Sequence, residues 1–144
     1  MMGIILFSKS PGTVDFTNPS YTHATLLTEG TEETPSVLTV GANVRITSTE
    51  ASNIVKSIEA THGKIIHYGT IDSEQGTVRL NVETENRGTI QSQGGTLVIN
   101  TTIDNADNTI CVLDGSIVFT DIAVIIGGTV TNLGANITTG SEST

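Results

Sequence analysis

From residue 69 onward, short runs of alternating apolar and polar residues are opened by one recurring tripeptide: Gly or Asn, then Thr or Ser, then a branched apolar residue. One series is Gly69-Thr70-Ile71, Gly88-Thr89-Ile90, Asn108-Thr109-Ile110 and Gly128-Thr129-Val130, with spacings of 19, 20 and 20. A second is Gly76-Thr77-Val78, Gly95-Thr96-Leu97 and Gly115-Ser116-Ile117, each member seven residues after its counterpart in the first. Period-two alternation predicts strands, and a near-constant period predicts that each turn of chain stacks on the one before it. Gly or Asn at the first position accommodates positive φ at a coil corner, and the β-branched residues that follow favour extended backbone. The expected fold is therefore all-β: a short parallel β-helix, or β-solenoid, of about 19–20 residues per coil. Parallel crossovers favour a right-handed winding.

Strand alternation assigns the faces. Val78, Leu80 and Val82, then Leu97 and Ile99, then Ile117 and Phe119 are expected to point inward; Ile71, Ile90, Ile110 and Val130 line an adjoining wall, and Ile103 and Ile122 a third. Thr70, Thr89, Thr109 and Thr129 form an outward ladder. Asn81 and Asn100, and Asn86 and Asn105, are spaced so that their amides can bond along the stack. Upstream the period fades, although Ile54, Val55, Ile58, Ile65 and Ile66 supply material for one preceding coil. All three prolines, Pro11, Pro19 and Pro35, lie in the first 40 residues. The expected organisation is an N-terminal extended arm or small β region over 1–50, the parallel β-helix over 51–138, and a disordered polar tail over 139–144.

Composition narrows the function. Aromatics make up 3% of the 144 residues and Trp is absent, so the core must be aliphatic. A net charge of −9 with six Lys and Arg disfavours a nucleic-acid partner. A single cysteine, Cys111, rules out an intrachain disulfide framework. Met1–Phe7 is apolar but lacks the basic flank and cleavage pattern of a signal peptide, and no run approaches the roughly 18 apolar residues of a membrane span. Synthesis as a soluble protein in the cytoplasm is the expectation.

No catalytic constellation emerges, and the chain is expected not to be an enzyme. His23, His62 and His67 share no metal-ligand spacing, although His62 and His67 can approach across a turn. Asp104-Asn105-Ala106-Asp107-Asn108 resembles the opening of a calcium loop but lacks its alternation, Gly and closing Glu, so a hydrated corner is expected. Cys111 follows an inward Ile and has no basic partner. No cofactor, catalytic residue or metal site is expected.

One outward column departs from a solvated wall. The counterparts of Arg79 in the next two coils are Val98 and Val118, and Ile122-Ala123-Val124-Ile125-Ile126 is apolar on both faces. Apolar residues on both sides imply a covering, either the N-terminal arm or another subunit. The expected oligomer interface comprises Val98, Val118, Ile122, Val124, Ile125 and Ile126, with a homotrimer as the expected closure.

Asn86-Arg87-Gly88-Thr89-Ile90 alternating with Gly94-Gly95-Thr96-Leu97-Val98-Ile99 resembles the β-helical repeats of bacteriophage virion proteins and of bacterial adhesins, over roughly residues 63–138. The virion resemblance implies a capsid decoration protein or short spike that binds the phage shell as a homotrimer, with the major capsid protein as partner, no nucleic acid and no membrane. Localisation to a virion made in the host cytoplasm follows. The alternatives are a bactofilin-like cytoskeletal polymer and, on the Thr ladder, an ice- or carbohydrate-binding module.

Overall fold

A computed structural model describes residues 3–6, 12–15, 23–49, 55–133 and 136–140. All regular structure in them is β, and every strand pairing is parallel. The chain winds through three walls in turn. The first coil is β1 (Gly3–Leu6), β2 (Gly12–Asp15) and β3 (His23–Glu29); the second is β4 (Ser36–Val40), β5 (Val44–Thr47) and β6 (Val55–Thr61). The third is β7 (Gly63–His67), β8 (Thr70–Ser73) and β9 (Thr77–Leu80). In the next two coils the second and third walls fuse into one long strand: β10 (Glu83–Asn86) leads to β11 (Thr89–Ile99), and β12 (Thr102–Asp104) to β13 (Thr109–Phe119). The last coil is β14 (Val124–Ile126), β15 (Thr129–Asn132) and β16 (Asn136–Thr139). This is the expected parallel β-solenoid.

The strand registers are those of the repeat. Ile71 pairs with Ile90 and Ile90 with Ile110; Val78 pairs with Leu97 and Leu97 with Ile117. Ile46, Ile71, Ile90 and Ile110, with Val78, Leu80, Leu97, Ile99 and Ile117, are fully buried as continuous aliphatic columns. Thr70, Thr89, Thr109 and Thr129 stay in register as the outward ladder.

Four expectations are corrected. The boundary at residue 50 does not separate two architectures, because β4 pairs with β7 and β5 with β8 in the same ladders. Ile122 does not stack on Ile103; the turn between β13 and β14 is longer than its counterpart after β11, and Ile125 takes that register. Asn81 and Asn100 are not joined to each other: the Asn81 amide donates to Glu59, and Asn100 accepts from the Thr120 hydroxyl. Positive φ serves fewer corners than the tripeptide suggests. Gly76, Gly115 and Gly128 adopt it, but at the corner before Asn108 it falls on Asp107. At Gly88 the constraint is close approach instead, since a Cβ there would collide with the carbonyls of Gly69 and Tyr68 one coil back. Ile54 and residues 141–144 of the expected tail lie outside the described residues.

The interior also contains a polar column on the first wall. Val40, His67 and Asn86 are in register, and Asn86 donates to Asn105 at 2.7 Å; all four residues are fully buried. Lys56, in register with Val78, is likewise buried and donates to the Ser48 hydroxyl.

Candidate assembly surface

The six residues expected at an interface separate into two groups. Val98 is 1% exposed, so the chain covers it without any partner, and Val118 is half-buried beside it. Asp72, facing out from the second wall, is also fully buried, and Arg45 pairs with both Asp72 and Glu74 while the Gln91 amide donates to Asp72 at 3.3 Å. Val98 is thus covered within the protomer, whereas Val118 keeps part of its surface open.

Ile122, Val124 and Ile126 behave differently, with exposures of 63%, 49% and 54%. Ile125 points inward and packs against the core. Three further residues join the exposed group, Val130, Leu133 and Ile137, all in or beside the last coil. Val130 and Ile137 occupy inward columns whose earlier members are fully buried; among the described residues no further strand pairs over them. Val130 was already legible as a column member, and its place in the final coil is the signal that it lacks a cover. Ile137 was hidden because Ala135-Asn136-Ile137 has lost the Gly-Thr signature at the position where Asn136 pairs with Ser116.

Charge reinforces the contrast. From Ile122 to Gly140 the chain contains no Asp, Glu, Lys, Arg or His, although the whole molecule carries −9. On the outer face of the first wall, two coils earlier, Arg87 contacts Glu85 at 2.9 Å and Asp104 at 3.1 Å, and Lys64 approaches Glu85 at 3.4 Å. The backbone N–H of Ala106, with Arg87 adding to it, holds the Asp104 carboxyl below the usual carboxylate range. The body of the solenoid is thus a solvated ionic surface, and the last coil is a neutral, aliphatic one.

The remaining candidate groups do not converge on chemistry. His62 is exposed at φ 50, on the rim of an open groove of about 420 Å³ that also touches Glu32, Lys64 and Glu83. His67 is buried elsewhere, its Nε2 3.0 Å from the Thr89 carbonyl, so the two imidazoles do not meet. No group of three metal-ligating side chains occurs among the described residues. In the Asp104–Asn108 corner, Asp104 accepts from the Ala106 N–H and the Asn105 amide donates to the Asn108 carbonyl, which spends these oxygens on the turn itself. Cys111 is a free, half-buried thiol.

Compared with known proteins, the chain matches no family model, no curated protein and no solved structure.

Proposed function

We propose that this chain is a structural protein that acts by self-association, of the capsid decoration or short-spike kind, with a virion as its setting and the major capsid protein as its second partner. The observation that carries the self-association is the last coil, which leaves Ile122, Val124, Ile126, Val130, Leu133 and Ile137 uncovered on a chain that is otherwise well solvated. Soluble monomers seldom leave so many aliphatic side chains of one coil in water. The virion setting rests on the repeat's resemblance to virion β-helices, and an acidic, aliphatic, aromatic-poor solenoid suits a scaffolding part better than a groove enzyme. Three-fold closure through Val98 is set aside, because that residue is spent inside the protomer.

Sedimentation velocity tests the reading. The wild type is expected to sediment as a discrete oligomer, and an Ile122→Lys, Ile126→Lys variant as a monomer whose thermal stability equals that of the wild type at concentrations where the wild type is also monomeric, since neither side chain contributes to the core. A wild type that stays monomeric up to high micromolar concentration would sink the proposal. Long filaments in negative stain would instead favour the polymer reading, which the uncovered end of the stack also supports.

A further inference from the structure

We infer that the backbone edge of the last coil is a pairing surface for the same coil of a second copy, the two copies meeting C-terminal coil to C-terminal coil across a two-fold axis. This rests on the self-association reading and specifies its partner and its bonding. Among the described residues β14 pairs with β12 alone, and β15 and β16 with β13 alone, so all three strands have one free side.

Strand alternation identifies the groups on that side. The Thr129 and Leu133 N–H groups donate to the Asn108 and Val112 carbonyls, at 3.0 and 2.9 Å, so the intervening Val130 directs its N–H and C=O away from the stack. The Gly140 N–H donates to the Phe119 carbonyl at 3.0 Å, which turns Ile137 and Thr139 outward in the same way. Val124 donates to Thr101 and Ile126 accepts from Asn105, which leaves the Ile125 N–H and C=O directed away from the stack. The residues with outward backbone groups thus include Ile125, Val130 and Ile137, whose side chains end the interior columns. Backbone pairing and column packing would be completed together by one more rung.

Natural edge strands are usually guarded by lysines, prolines or inward charges. The coil formed by β14, β15 and β16 has none of these. Charge selects the second copy's matching end. Two chains of −9 repel, and that cost is least where both present a charge-free coil; the opposite end carries Asp15, Glu29, Glu32 and Glu33 within or just after β2 and β3. A two-fold contact of like with like also closes, so it stops at two copies.

The test uses the full chain in sedimentation equilibrium. Wild type is expected to approach twice its 15.0 kDa mass and no more. Val130→Pro with Thr139→Pro removes two N–H donors that face away from the stack and find no acceptor among the described residues, while Val130→Ala with Thr139→Ala keeps them. The proline pair is expected to weaken dimerisation at least tenfold relative to the alanine pair, with the monomer retaining its far-ultraviolet spectrum. In wild type, amide exchange at Val130 and Thr139 is expected to slow at least tenfold on dimerisation, a reading that needs no folded variant. Equal dimerisation of the two pairs, or unprotected amides at both positions in the dimer, would overturn edge pairing while leaving self-association standing. A mass that climbs without limit would replace the two-fold contact by a head-to-tail one and overturn it as well. A wild type that is monomeric throughout removes both the inference and the reading beneath it.

Discussion

His67 shows what a single side chain costs inside an aliphatic stack. Its Nε2 meets the Thr89 carbonyl, but Nδ1 is buried with no hydrogen-bond partner, and burial lowers its pKa from 6.5 to about 4 against the opposing pull of the Thr89 carbonyl. The folded protein therefore holds a neutral imidazole where the unfolded chain would already take up a proton. Stability linked to this group is complete above pH 6.5 and is lost as pH falls toward about 4, a loss of roughly 3 kcal/mol at about 1.4 kcal/mol per unit. Urea unfolding of wild type and His67→Asn between pH 7 and 4 checks this: wild type should lose that much more than the variant, whereas parallel curves would place the imidazole's proton elsewhere. The position was not legible in the sequence. The spacing relates His67 only to His62, whereas the register of the first wall sets it between Val40 and Asn86 on an inward column.

At the scale of the strand and its corner, burial separates apolar residues that look equivalent in the alternation. Val98 and Ile126 both face outward, yet Val98 lies in a sealed seam of the protomer whereas Ile126 stands in solvent on the first wall of the last coil. Val98→Lys is accordingly expected to act on folding rather than on assembly. An ammonium group forced into that seam should cost on the order of 2 kcal/mol or more, read as a lowered denaturation midpoint at a protein concentration where the wild type is monomeric; an unchanged midpoint would mean the seam opens freely. Alternation states that a residue points outward but not whether the outside is convex, and so the sequence placed Val98 with Ile126. The columns of the later coils were legible because their corners are uniform, which keeps Ile71, Ile90 and Ile110 at 19 and 20 residues apart. The earlier coils escaped the same comparison because their corners are longer. Leu38 to Ile65 is 65 − 38 = 27 residues and Ile46 to Ile71 is 71 − 46 = 25, although each pair is in register. Pairing tolerates such insertions, since an exposed corner lengthens at little cost in closure entropy.

The whole molecule is a one-dimensional stack in which each coil touches only its neighbours, so its stability is graded along the axis rather than uniform. A central coil such as the one built from β10 and β11 opens only by breaking two interfaces, and its inward side chains Ile90, Leu97 and Ile99 are fully buried. The last coil breaks one interface, with Val130 and Ile137 already in contact with water. Hydrogen exchange on the monomer should therefore show slowest exchange at Ile90 and Leu97 and progressively faster exchange toward Thr131 and Thr138, even though the last two amides lie on ladder-bonded positions. Because fraying of the last coil exposes β13 next, protection should fall in steps of one coil rather than residue by residue. Raising the protein concentration supplies the missing interface, and the gradient should then flatten at the C-terminal side while the central values stay fixed. If Thr131 and Thr138 were as protected as Leu97 in the monomer, the terminal coil would be held by something other than its single neighbour, and the uncovered aliphatic end would not be the weak point on which the assembly depends.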